Sequence, residues 1–365
     1  MFGSLCKKPG RSLSFTNKLV TEHILQYLCL FIMLGTTAYA QAGKIVNIYV
    51  WGGEIPAEVI DEFERTTGIN VNFSTYDNNE TMYAKLKAGG QGIYDVIMPS
   101  AYFVERMKKQ GMLAKLDKQR LPNLANLASQ FINNNFDRDN HYSVPLIWGA
   151  TGIFYNQALV TKVPAKWQDL WQSHWRGKLL MLNDSREVFA IALMSLGFPP
   201  NDSNPAHIKQ AYEHLLKLIA NIKLFASESV QAIIIDEDAI AGGVWNGDAF
   251  KAQIENKNIL FKYPQEGFVM WVDCLSIPLN APHPVEAYKF INFLLTPAIS
   301  ALIAQIEGYA ITNAKGQALL PPAIHNNKLL YPSPTQLQRG HFQRDVGEET
   351  LLLYNQYWQR LKLVF

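Results

Sequence analysis

From Lys44 onward the chain alternates between short β-branched runs and stretches whose apolar residues recur every three to four positions. KIVNIYVW at 44–51 reads as a strand, Pro56 falls in the first turn of a helix with Val59, Ile60 and Phe63 on one face, and Gly68 ends that helix. The same rhythm predicts a strand over 69–76, a helix over 79–88, a strand over 94–99 and a helix over 102–110. A second unit starts near Thr151, with strands over 178–182, 239–245 and 270–278. Between them lie helices over 187–196 and 205–220, and a later helix carries Tyr288, Phe290, Ile291 and Leu294.

Strand and helix in regular succession define an α/β protein, each unit an open, mostly parallel sheet flanked by helices. Ligands of such sheets sit beyond the carboxyl ends of the strands, so Trp51, Ser100 and Tyr102, each at a predicted strand end, mark a crevice. No Gly/Ser-rich linker separates the units. The chain is therefore expected to cross between two lobes as extended strands near 150–155 and 273–275, and such crossings act as hinges. The expected division is 44–150 with 274–318 for one lobe and 151–273 with 319–365 for the other.

One apolar run breaks the rhythm. Residues 24–35, ILQYLCLFIMLG, follow basic residues and precede Ala38-Tyr39-Ala40, small residues where a signal peptidase cuts. The run is shorter than the roughly 18–20 residues a membrane span needs, so 1–40 are expected to be a cleavable export signal and the remainder periplasmic. That segment carries Lys7, Lys8, Arg11 and Lys18 against Glu22, and without it the formal charge of +2 falls to near balance. A near-neutral body offers no broad basic field to a phosphate backbone, which argues against nucleic acid as a partner.

Cys6 and Cys29 lie in the export segment, leaving Cys274 alone in an apolar strand pattern, where a buried structural thiol is expected. The eight histidines show no metal-ligand spacing, and no metal or other cofactor is expected. There is no G-x-S-x-G nucleophile motif, and Ala88-Gly89-Gly90-Gln91-Gly92 lacks the Lys-Ser/Thr of a phosphate loop. Asp184 or Glu187 facing Asp273 is the strongest case for an enzyme, a carboxylate pair of the glycoside-hydrolase kind. With no supporting constellation, no catalytic residue is assigned.

Several blocks resemble the periplasmic spermidine/putrescine-binding proteins of polyamine ABC transporters. They run in order along the chain: Ser74-Thr75-Tyr76, Asn79-Glu80-Thr81-Met82-Tyr83-Ala84-Lys85-Leu86-Lys87, Tyr94-Asp95-Val96 leading to Pro99-Ser100, Ile147-Trp148-Gly149-Ala150-Thr151 and Arg186-Glu187-Val188-Phe189. Trp245-Asn246-Gly247, Trp271-Val272-Asp273, Ile291-Asn292-Phe293-Leu294-Leu295 and Asp345-Val346-Gly347 complete the set. The resemblance implies a two-lobed fold with a polyamine in the interlobe cleft, hinge closure on the ligand, and delivery by a monomeric receptor to an inner-membrane ABC permease. It further implies aromatic walls at Trp51, Tyr102, Trp245, Trp271 and Tyr309, acids at Asp184, Glu187 and Asp273, and hydrogen bonds from Ser100 and Gln343. A polyamine is an apolar thread carrying separated cations, so flat rings along its methylenes and carboxylates at its ammonium groups suit it chemically.

Plainer roles compete for some of these residues. Asp184 and Glu187 also fit the N-cap and first turn of the helix that follows. Trp148, Trp167, Trp171, Trp175 and Trp358 sit in packing patterns and are read as core, and Asp236-Glu237-Asp238 as a solvated turn. One departure from the resemblance is informative. After Trp51, where a polar residue, an acid and a tyrosine are expected, the chain has Gly52-Gly53-Glu54. An aromatic wall is missing there, and Glu54 is expected either to reach an ammonium group or to shift the preference toward another small organic cation. Asp248 could add a carboxylate, although a helix-start role fits it better.

Overall fold

The computed structural model describes residues 44–365, so the expected export signal over 1–40 lies outside the described residues. Its first sheet has three parallel strands in the order β2-β1-β3, with β1 Ile45–Trp51 between β2 Asn70–Tyr76 and β3 Val96–Ile97. Helix α1, Ala57–Thr67, buries Val59 and Phe63 as its apolar spacing requires. Helix α2, Asn79–Lys87, starts at Asn78, whose side chain accepts the Thr81 backbone N–H at 2.8 Å. Helix α3, Ala101–Lys109, follows directly from β3, although only two residues of the expected 94–99 strand are laddered.

The second sheet has eight strands and is mixed. Its path is β11-β9-β4-β7-β5-β6, and two further strands, β8 and β10, also pair with β4. The strands are β4 Val144–Asn156, β5 Leu179–Met181, β6 Ile222–Phe225, β7 Ala241–Trp245, β8 Ile259–Lys262, β9 Phe268–Leu275, β10 Ala310–Ile311 and β11 Gly340–Phe342. The expected parallel order holds where helices return the chain, at β5 with β6 and with β7. It gives way at β4, which pairs antiparallel with β7, β8, β9 and β10. The geometry follows from the chain's path: a strand that leaves the first lobe and another that returns beside it must run in opposite directions.

Two main hydrophobic cores lie on either side of this crossing. The first gathers Ile48, Val50, Phe63, Met107, the β4 residues up to Ala150, and Phe290 and Ile303 from helices α8, Pro284–Leu294, and α9, Pro297–Glu307. The second takes β4 from Ile153 together with helices α4, Ser185–Ser195, and α5, Pro205–Leu218, and Tyr354, Trp358 and Leu361 of α10, Glu348–Leu363. Strand β9 packs on both, Val269 on the second core and Met270 to Val272 on the first. A smaller cluster around Phe154, Val244 and Ile234 joins α6, Val230–Ile235, to α7, Asn246–Glu255. Trp148, Trp167, Trp175 and Trp358 are buried in packing positions and Trp171 stacks on His214, while Asp236 to Asp238 are exposed. Cys274 is fully buried, and burial pushes its thiol well above the ordinary cysteine pKa.

Candidate functional site

The chain ends of both sheets converge between the two main cores. Trp51 closes β1 and Glu54 lies on the turn after it, while Ser100 and Tyr102 open α3. Asp184 and Glu187 open α4 behind β5, Trp245 closes β7, Trp271 and Asp273 lie on β9, and Tyr309 and Gln343 flank β10 and β11. Every one of these residues lines a single cavity.

One group of acids is Asp273 with Glu54. The Ser100 hydroxyl donates to Asp273 Oδ1 at 2.5 Å. Ser100 is held in turn by Asn79, whose Oδ1 accepts the Ser100 N–H at 3.0 Å and whose Nδ2 donates to Ser100 Oγ at 2.9 Å and to the Tyr102 hydroxyl at 3.2 Å. Burial, then the charge of Asp273 and a hydrogen bond with it, hold Glu54 well above the carboxylate range. Asp273 is pushed up to about 7, chiefly by burial, against hydrogen bonds from Ser100 and Glu54. The coupling of the two carboxyls therefore favours a protonated Glu54 beside Asp273. Glu54 Oε2 has no hydrogen-bond partner.

Asp184 and Glu187 form the other group. Asp184 Oδ1 accepts the backbone N–H groups of Arg186 at 2.8 Å and Glu187 at 3.0 Å, so one carboxylate both caps α4 and faces the cavity. The two roles set against each other in the sequence coexist. Burial and the charge of Asp184 push Glu187 up to about 8, with the Arg186 charge acting in the opposite direction. Gln343 Nε2 donates to Glu187 Oε1 at 3.4 Å, and Glu187 Oε2 has no partner. Behind this group Arg186 is 2% exposed, its guanidinium 5.2 Å from the Tyr102 ring and 5.4 Å from that of Tyr354, with Nη2 donating to Asn201 at 3.0 Å.

The walls are a continuous series of edge-to-face rings. Trp51 to Trp245, Trp245 to Trp271 and Trp271 to Tyr309 have centroid separations of 5.9, 6.4 and 5.5 Å, at interplanar angles of 82°, 72° and 75°. Two glycines seat the rings. A Cβ at Gly149 would lie 2.3 Å from the Trp271 ring, and one at Gly247 would lie 2.2 Å from that of Tyr309. Trp271 Nε1 is buried without a partner.

Asn79 is the lining residue that the sequence did not single out. Asn78 takes the cap of α2, which leaves the next asparagine free to turn inward, where it is 1% exposed. The doubled asparagine at a helix start was the available signal. Asp248 lies in the first turn of α7, as expected, and accepts the Tyr309 hydroxyl at 3.3 Å from outside the main cavity.

Two hydrophobic cores meeting at a cavity of acids and rings define the architecture of a cleft-type receptor for a small solute. The chain belongs to the bacterial extracellular solute-binding protein family, whose profile matches residues 58–332. It is 40% identical to the spermidine/putrescine-binding periplasmic protein of Salmonella typhimurium, covering 90% of this chain and 94% of that one. A solved structure from Listeria monocytogenes, provisionally described as a spermidine/putrescine ABC transporter, superimposes with a TM-score of 0.86 at 33% identity over 88% of this chain and all of that one. The spermidine/putrescine ABC transporter substrate-binding protein PotD of Streptococcus pneumoniae gives 0.73 at 31% identity, covering 88% and 99%.

Proposed function

We infer that this protein is a periplasmic receptor that captures a polyamine, spermidine or putrescine, by closing its lobes and hands it to an ABC permease in the inner membrane. One observation carries the reading. Glu54 and Glu187 each present a buried carboxylate oxygen without a partner to a cavity lined by aromatic faces and by no lysine or arginine. Buried acids left without a counter-charge are destabilising. An ammonium group offers each of them both charge and N–H donors, and the methylenes between ammonium groups match the rings. The names of the Salmonella and Streptococcus relatives support the same ligand class and the same transporter partner.

In this reading the moving bodies are 44–150 with 274–318 and 151–273 with 319–365, β4 is the outgoing hinge strand, and the receptor acts as a monomer. The cavity's carboxylates serve as counter-ions, with no part in catalysis. Ligand shifts the protein toward the closed form because contacts to acids of both lobes exist only there. Isothermal titration calorimetry of the mature protein, refolded free of carried-over ligand, is expected to show saturable one-to-one binding of spermidine or putrescine. Silence toward both would remove the polyamine reading while leaving the fold untouched.

A further inference from the structure

Helices α2 and α3 begin at the wall of the main cavity, and their opening side chains bond to each other rather than to their own helices. Ser100 holds the N-cap position of α3 yet makes no side-chain cap bond, although serine is among the residues that favour that bond. Its hydroxyl is committed to Asp273 Oδ1 instead, at 2.5 Å, and the backbones of Ser100 and Asp273 form an isolated antiparallel bridge. Asn79 sits at the first position of α2, one residue past the Asn78 cap, and is 1% exposed. The Ser100 N–H can only donate, so the Asn79 atom that receives it at 3.0 Å must be Oδ1, which fixes the orientation of the amide. Nδ2 then has two hydrogens, and they go to Ser100 Oγ at 2.9 Å and to the Tyr102 hydroxyl at 3.2 Å. Both hydroxyl oxygens therefore accept from Asn79. The hydrogen of Ser100 is directed to Asp273, and that of Tyr102 away from Asn79.

Resting on the polyamine reading above, we propose that Asn79 is a positioning residue for ligand capture: it sets the direction of the Ser100 and Tyr102 hydroxyls, so that Ser100 holds Asp273 as the acceptor for an ammonium group. Both donors of the amide are spent inside the wall, so Asn79 lines the cavity without turning an N–H toward a cation. Hydrogen bonds in series polarise one another, and a hydroxyl that accepts from an amide donates more strongly to a carboxylate. That donation favours the ionised form of Asp273, the form that attracts a cation. Without Asn79 the Ser100 hydroxyl is free to turn back to the α3 backbone, and Asp273 loses the neighbour that holds it.

The test is calorimetry with spermidine and putrescine on the wild type, on Asn79→Ala, on Asn79→Asp, on the double variant Ser100→Ala, Tyr102→Phe, and on that double variant carrying Asn79→Ala as well, each checked for a cooperative melt. Asn79→Ala should bind the tighter of the two ligands about tenfold more weakly than the wild type. In the background without the two hydroxyls the same substitution should cost less than about twofold, because a residue that acts through its partners loses its effect with them. Equal losses in both backgrounds would overturn the proposal, since they mark a contribution to the packing of α2 alone, and so would an Asn79→Ala variant that binds like the wild type. Asn79→Asp keeps the size and the acceptor for the Ser100 N–H, so it decides the question even where the alanine variant fails to melt cooperatively. It adds an acid to an acidic cavity, and simple attraction of a cation predicts tighter binding. Loss of the two N–H donors predicts binding at least about threefold weaker, and tighter or unchanged binding would overturn the proposal. A wild type that binds neither ligand sinks the polyamine reading and this proposal with it, whereas a binding wild type with indifferent Asn79 variants sinks this proposal alone.

Discussion

Asp273 and Glu187 carry protons in the folded protein that they would release in the unfolded chain, because burial raises them from 3.8 to about 7 and from 4.5 to about 8. A folded-state pKa above the unfolded one gives stability that is present at low pH and lost as pH rises toward the folded value. For these two groups the loss falls between about pH 4 and 8. The double variant Asp273→Asn, Glu187→Gln should therefore gain thermal stability relative to the ligand-free wild type as pH rises across that window, read as the difference in melting temperature. A difference that stays flat from pH 5 to 8 would contradict the raised values. Ligand binding has the opposite slope, since a cation favours the ionised acids and expels their protons. Calorimetry in two buffers of unlike ionisation enthalpy should show proton release, reduced in Glu54→Gln. Trp271→Ala removes ring contact without touching an acid, and should weaken binding at least about tenfold while leaving proton release unchanged.

At the scale of elements, the rings depend on backbones that come unusually close to them. Gly149→Ala would drive a methyl group into Trp271 and the Asn246 side chain, with close contacts at 2.3 and 2.6 Å and little freedom for β4 to yield. Overpacking of this kind costs about 1–3 kcal/mol, so a lowered unfolding midpoint in urea together with weaker ligand binding is expected. Unchanged affinity would mean that Trp271 moves freely. What was legible in the sequence divides along similar lines. β1, α1 and α2 were readable because their apolar residues follow one period and their ends carry Pro, Gly or Asn signals. β6 and β8, four residues each, are too short to establish a period, and α10 distributes Leu, Tyr and Trp around much of its circumference. The residues that line the main cavity could be named because aromatics and acids stood at strand ends beside resembling blocks. The Glu54–Asp273 pair and the Asn79 bridge join positions remote in sequence, and no local pattern encodes them.

At the scale of the whole molecule, the lobes also meet away from the cavity. Arg106 of α3, from the first core, pairs with Asp345 Oδ1 at 2.7 Å, and both side chains are buried. Lys109 adds a contact to Oδ2 at 3.1 Å, and Glu105 accepts the Asp345 N–H at 3.2 Å. Burial would raise the Asp345 pKa, but Lys109 and Arg106 more than offset it and hold the group below its usual value. The segment beyond Asp345 continues into α10, which belongs to the second core, so this clasp exists only while the lobes are together. Asp345→Asn should speed ligand dissociation in stopped-flow measurements and leave association almost unchanged, because the clasp forms after encounter. A slower association at constant dissociation rate would place its contribution before closure.

The shared strand β4 has a consequence for how the molecule is made. The first core draws on residues before 151 and again on β9, α8 and α9, while the second needs α10 at the far end of the chain. Neither lobe is a contiguous stretch, so the first 107 described residues do not complete a core of their own as an N-terminal domain ordinarily would. Until the last turns of α10 are synthesised the nascent protein lacks part of the second core, and until α9 is made it lacks part of the first. Completion of the second core is thus deferred until α10 has been made, long after its first strand.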